Sequence, residues 1–129
     1  MTTKTTDSYN FREPPTFETE ALSILAFEFS SSEHDESDRK IKRRLRDKKV
    51  GPYEAARVNH LRALKNDIRE ELEKTDRSKF YKSLGGSYSD LGDWQFARLA
   101  RYFERRHPKV DPAAIRRFLP YAIYLYYLR

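Results

Sequence analysis

The sequence predicts an all-α chain, an irregular bundle of four to five helices behind a flexible N-terminal leader. Three observations predict it. Val58, Leu61, Leu64, Ile68 and Leu72 share one arc of a helical wheel. Phe96, Leu99, Ala100 and Phe103 recur at i, i+3, i+4 and i+7, again one helical face. The one stretch that alternates as a strand would, Leu25, Phe27 and Phe29, has no convincing partner strand elsewhere in the chain.

The elements follow in order. Residues 1–15 are polar, Thr-rich and closed by Pro14-Pro15, and read as a flexible leader carrying Tyr9 and Phe11. Residues 16–129 read as a single helical domain. Thr16 is placed to cap a first helix, whose Phe17, Ala21, Ile24 and Leu25 share a face. Ser30 to Asp38 reads as a polar, acidic linker. The run after it holds eight cations in eleven residues: Arg39, Lys40, Lys42, Arg43, Arg44, Arg46, Lys48 and Lys49. Ile41 and Leu45, at i and i+4, would anchor it as a short helix capped by Ser37 or Asp38.

Gly51-Pro52 breaks the chain and opens the longest helix, Tyr53 to Lys74. Arg57 and Lys65 fall in or beside its apolar arc, so they either snorkel at the edge or face a partner. Glu70 and Lys74 stand in the favourable i, i+4 order. Asp76 to Ser78 reads as a turn, and Phe80, Tyr81 and Leu84 as a short helical turn. The stretch from Gly85 to Asp93 is a loop. Its Gly-Gly-Ser lacks the spacing and the following Lys-Ser or Lys-Thr of a phosphate-binding loop.

Asp90 and Asp93 are both suited to cap the next helix. Arg98, Arg101 and Arg105 lie opposite its apolar face, with Trp94 near them. Arg105, Arg106 and His107 fall in its last turn, where positive charge suits the helix dipole. Pro108 ends it. Asp111-Pro112 starts the last helix as N-cap and first helical residue. Ile115, Phe118, Leu119, Ala122 and Tyr126 form one stripe, and Tyr121, Tyr124, Leu125 and Leu128 form a second beside it. Pro120 interrupts the backbone ladder and predicts a kink. Two apolar stripes exceed what one neighbouring helix covers, so the second is expected to meet a protein partner or another copy of the chain.

Composition narrows the function. Charged residues make up 36% and aromatics 14% of the 129 residues, which suits a helical protein with solvated faces and an aromatic core. Without cysteine, neither disulfides nor thiolate metal sites can form. The start has no apolar signal region and no run is long enough to span a membrane, so a cytoplasmic, soluble protein is expected. The net charge of +6 is uneven: residues 1–77 carry 16 basic and 16 acidic side chains, and residues 78–129 carry 10 and 4. Such asymmetry points to a polyanionic partner.

Catalytic patterns are missing. His34, His60 and His107 lack metal-ligand spacing, and no nucleophile elbow, dinucleotide fingerprint or P-loop occurs. Glu70 and Glu71 are adjacent and point to different helix faces. Tyr102 beside Arg98 and Arg101 could be an assisted nucleophile, but a Tyr in an aromatic helix is more often packing. No enzyme, metal or cofactor is expected. The residues expected to contact RNA or DNA are Arg39, Lys40, Lys42, Arg43, Arg44, Arg46, Trp94, Arg98, Arg101 and Arg105, because Arg forks match phosphates and an exposed aromatic stacks on bases. The chain thus reads as a non-catalytic, basic helical module that contacts nucleic acid within a larger assembly such as a ribonucleoprotein. The alternative is a protein-binding adaptor or regulator using the Tyr-rich last helix without nucleic acid. No family is recognised. The closing Arg117-Phe118-x-x-Tyr121 and Tyr126-Tyr127 pattern resembles the last helix of the small helical subunits of type III CRISPR complexes. It carries no specific motif, and no expectation is built on it.

Overall fold

The first helix begins where a threonine pair closes on itself. The Thr16 hydroxyl accepts from the Thr19 N–H at 3.1 Å, and Thr19 Oγ1 accepts from the Thr16 N–H at 3.0 Å. Two first-turn donors are thereby satisfied, and α1 runs Phe17–Leu25. A computed structural model describes residues 14–74, 77–81 and 94–128, except for the side chains of Tyr127 and Leu128. The leader expected over 1–15 lies outside these residues apart from Pro14 and Pro15, and so does the loop from Gly85 to Asp93 with both expected caps.

After α1 come a 3-10 turn at Ser31–Glu33, α2 at His34–Lys48, α3 at Ala55–Lys74, α4 at Phe96–Arg106 and α5 at Pro112–Leu128. The described residues are all-α, five helices with no strand beyond an isolated bridge between Tyr81 and Trp94. α1 packs on α2, α3 and α5; α5 also packs on α3 and α4. One core runs through all five helices, and its largest fully buried members are Leu22, Leu25, Ile41, Leu45, Leu61, Leu64, Ile68, Leu72, Leu99, Phe103, Ile115 and Leu119.

Several sequence expectations hold. Val58, Leu61, Leu64, Ile68 and Leu72 are all buried, as are Ile41 and Leu45. α4 ends before Pro108, and α5 starts at Pro112 with Asp111 Oδ1 accepting from the Ala113 N–H at 3.1 Å. α2 stops with Lys49 in the left-handed region at φ 58° and Gly51 at φ 109°, a backbone that suits glycine.

Other expectations are corrected. The acidic linker is not a linker: helix begins at His34, and Ser37 is buried inside it rather than capping it. The entry is fixed instead by Glu33, whose Oε1 accepts from the N–H groups of Phe29 and Ser30 at 2.6 and 3.1 Å. α3 begins at Ala55, after Gly51, Pro52, Tyr53 and Glu54 have passed as coil. Lys74 pairs with Glu71 at 3.1 Å rather than with Glu70, because Glu71 is held at the α3 end by Ser78 Oγ at 2.5 Å. Phe27 and Phe29 belong to neither helix nor strand. Phe96 is exposed, although it keeps the spacing of the core face; it is the first residue of α4, where only the following turns reach the core. On α5, Ile123 is buried although it belongs to neither expected stripe.

The end of α3 and the start of α4 are tied by a short link. Ser78 Oγ, which donates to Glu71, also accepts from the Phe80 N–H at 3.1 Å, and Phe80 O accepts from the Gln95 N–H at 2.7 Å. At the other end of α4, Asp67 of α3 takes Arg106 Nε and His107 Nε2, both at 2.7 Å.

Burial separates two phenylalanines of α4. Phe103→Ala is expected to cost about 3–5 kcal/mol as a cavity in the core, and Phe96→Ala less than about 0.5 kcal/mol as a surface change. Urea unfolding of both variants checks this.

Candidate nucleic-acid interface

α2 carries the densest charge in the chain, and its geometry follows from its two faces. Ser37, Ile41 and Leu45 are buried against the bundle. Arg39, Arg43 and Arg46, at i, i+4 and i+7, occupy the opposite side and are exposed. Lys40, Lys42, Lys48 and Lys49 flank them, also exposed. Lys42 Nζ lies over the Tyr53 ring, 4.9 Å from its centroid. Arg44 departs from the expected set: it is half-buried and turns to α1, its Nη1 at 3.3 Å from both Glu20 Oε1 and Ser23 Oγ.

The acidic residues just before the run do little to neutralise it. Asp38 Oδ1 accepts from Arg62 Nη2 on α3 at 2.9 Å. Glu33 is engaged by backbone N–H groups. Within the run's own helix the ion pairs are Glu36 to Lys40 at 3.3 Å and Asp47 to Arg46 at 3.9 Å, both exposed and so worth little. Arg39, Arg43, Lys48 and Lys49 have no ion pair among the described residues.

What holds α2 in this orientation is a buried ionic cluster. Glu28, in the turn after α1, is 1% exposed. It accepts two hydrogen bonds from Arg62, Nε at 2.8 Å and Nη2 at 3.0 Å. Lys65 Nζ donates to the Glu28 carbonyl oxygen at 2.8 Å and lies 3.5 Å from Oε1. His34 Nε2 lies 3.5 Å away. Arg62 bridges Glu28 and Asp38, so one guanidinium joins the α1 turn, α2 and α3. Burial pushes the Glu28 carboxyl up, but hydrogen bonds from Arg62 and Ser37 and the charges of Arg62 and Lys65 outweigh it and hold it below 4.5. The hydrogen bond to Glu28 raises Arg62 against burial, with Asp38 adding to it. Burial, aided by the charge of Arg69, pulls the Lys65 ammonium down against the attraction of Glu28. Burial, then the Asp38 charge, pushes the Tyr53 hydroxyl up.

Sequence reasoning missed Glu28 and Arg62. A signal existed: Arg62 stands four residues after Val58, at the border of the apolar arc, and Glu28 is the one charge in an apolar stretch. Lys65 does not snorkel, since it is 5% exposed with its ammonium bound inside. Arg57 does reach the edge, over the Phe17 ring at 3.9 Å and onto Glu18 at 2.6 Å.

The second expected set fares differently. Arg98, Arg101 and Arg105 are exposed on α4. Arg98 donates to Gln95 Oε1 at 2.6 Å. Trp94 is a correction: it is 4% exposed and meets the Tyr81 ring edge-on at 5.2 Å, so its indole has no free face for a base. The bridge to Tyr81 and the Phe80–Gln95 hydrogen bond draw it inward. α2 packs on α1 and α4 on α5.

Tyr102 is half-buried between the rings of Phe80 and Phe103, at 4.9 and 5.2 Å. Its guanidinium neighbour is Arg106, 5.3 Å from the ring centroid, and the contact is packing. Among the described residues no group of three or more His, Asp or Glu is arranged to hold a metal, and no helix is long and apolar enough to cross a membrane. On α5, Tyr121 and Tyr124 are exposed, Leu125 is half-buried, and the Leu128 side chain lies outside the described residues. Comparison with protein-family models, curated proteins and solved structures gives no match.

Removing the Glu28 charge leaves the buried Lys65 without a carboxylate and Arg62 with Asp38 alone, so Glu28→Gln is expected to cost about 3 kcal/mol. The folded pKa lies below 4.5, so the stabilisation is present above that value and lost as pH falls through the folded pKa. The gap between wild type and variant in urea melts therefore narrows on acidification. Trp94 is the sole tryptophan, so its emission is expected to be blue-shifted, weakly quenched by iodide and unchanged by added polyanion.

Proposed function

We propose that the chain is a non-catalytic helical module that contacts nucleic acid as a subunit of a larger assembly, with the outer face of α2 as its phosphate-binding surface. The supporting observation is the fate of the acidic residues around the basic run. Asp38 and Glu33 are engaged elsewhere, so Arg39, Arg43 and their lysine neighbours keep an exposed and largely uncompensated charge. Guanidinium groups spaced along one helix face can each meet a phosphate and release counterions. The contact would be to the backbone and tolerant of sequence. Trp94 has no stacking part in it, and Arg98, Arg101 and Arg105 form a second, separate basic surface.

A second reading, an adaptor or regulator without nucleic acid, is favoured by the two tyrosine rings exposed on α5, Tyr121 and Tyr124.

Binding to fluorescent single- and double-stranded oligonucleotides across a salt series tests the first reading. Changing Arg39, Arg43 and Arg46 together to Glu is expected to weaken binding of all sequences, and to flatten the salt slope by about 0.9 per lost contact on duplex and about 0.7 on single strands. The same reversal at Arg98, Arg101 and Arg105 reports the share of α4. Absence of binding by the wild type at low salt would leave the adaptor reading.

A further inference from the structure

The fold leaves the cations of α4 without acids. Arg98, Arg101 and Arg105 are exposed on that helix, and so is Lys79 in the link before it. None of the four has an ion pair among the described residues. The acids nearby are engaged elsewhere. Glu104, the one acid of α4, takes Arg116 of α5 at 2.8 Å, and Asp67 takes Arg106 and His107. α2 differs, because Asp35, Glu36 and Asp47 stay exposed among its cations. The whole excess charge of the sequence also lies on residues 78–129.

The four form a row. Arg98, Arg101 and Arg105 fall within about 60° of one another on the helical wheel and span about 10 Å of the axis. Lys79 continues the row past Arg98, whose Nη1 donates to the Lys79 carbonyl oxygen at 3.5 Å. The other acceptor of Arg98 is Gln95 Oε1 at 2.6 Å. Both are neutral oxygens, so the guanidinium charge stays uncompensated. Rings hold this end of the row in place. Phe80 and Tyr102 have centroids 4.9 Å apart, and Lys79 Nζ lies 5.4 and 5.5 Å from them. Arg98 lies 5.5 Å from the Phe80 centroid. A ring face orders a cation without cancelling its charge or occupying its N–H donors.

We propose that the row Lys79, Arg98, Arg101 and Arg105 is a nucleic-acid site in its own right, which takes successive phosphates of one strand. Guanidinium forks at near-regular steps along one narrow strip match a repeating phosphate chain, and each contact releases counterions. The strip has no amide or hydroxyl free to read base edges, since Gln95 is engaged by Arg98. It therefore recognises the backbone and tolerates any sequence. The proposal rests on the reading above for its ligand and not for its surface, because α2 has no part in it.

The test joins two measurements on the full chain with short single-stranded oligonucleotides of several sequences. Fluorescence anisotropy reads binding, and mass spectrometry reads how fast an amine-reactive ester acylates each lysine. The wild type is expected to bind all sequences alike, and bound oligonucleotide is expected to slow acylation of Lys79. Lys79→Gln, Arg98→Gln, Arg101→Gln and Arg105→Gln in one variant are expected to flatten the salt slope by about 0.7 per lost contact. All four positions lie at the surface, circular dichroism verifies that the fold is kept, and protection of Lys79 is read without any substitution. Charge reversal at Arg39, Arg43 and Arg46 is expected to leave Lys79 protected. Binding without protection of Lys79, or binding that the four changes leave intact, overturns the proposal while the α2 reading stands. Protection that disappears with the α2 reversal also overturns it, since the row would then not bind alone. No binding by the wild type at low salt overturns both. Equal protection of Lys79 by polyglutamate of matched charge would give the row to an acidic protein instead.

Discussion

The arrangement of this bundle depends on one buried carboxylate. Glu28 sits where α1 ends, and it is met from α3 by Arg62 at 2.8 and 3.0 Å and by Lys65 through its backbone carbonyl at 2.8 Å. Through Asp38, Arg62 joins the α1 turn, α2 and α3 at one point. A buried charge without its partner costs several kcal/mol, so the three elements have one low-energy arrangement in which Glu28, Asp38 and Arg62 meet. Apolar packing alone would let α2 slide or rotate; the hydrogen bond from Arg62, itself fixed on Glu28, to Asp38 of α2 restrains it.

The same cluster sets the surface electrostatics. Asp38 is drawn to Arg62 and so no longer answers the cations that follow it. Glu33 is turned back to cap the 3-10 turn. With Asp38 and Glu33 engaged by the fold and Asp35, Glu36 and Asp47 left exposed on α2, a stretch balanced in sequence becomes more cationic at its surface. Local charge density on a folded surface is decided by which ions the interior engages, and not by the count along the chain.

The cluster also decides which side chains the α1 turn leaves at the surface. Holding Glu28 in means holding Phe27 and Phe29 out.

The helices were legible in the sequence because their signals are local. The apolar arc of α3, the Thr16 box, and the Asp111-Pro112 start need only neighbours within a few residues, and each stands where it was read. The outward cations of α2 were legible for the same reason, since Ile41 and Leu45 mark the inner face. What depends on distant residues was not. Trp94 was read as exposed because its neighbours are polar, and it is buried by a bridge to Tyr81. Phe96 keeps the spacing of its helix face, but as the first residue of α4 it stays exposed. Glu28 and Arg62 are 34 positions apart, and each alone resembles a surface charge. Periodicity and capping chemistry determined the elements and the inner faces of α2 and α3; the pairing of a few charges, which exists only once helices meet, decided that Glu28 and Lys65 go inside as well.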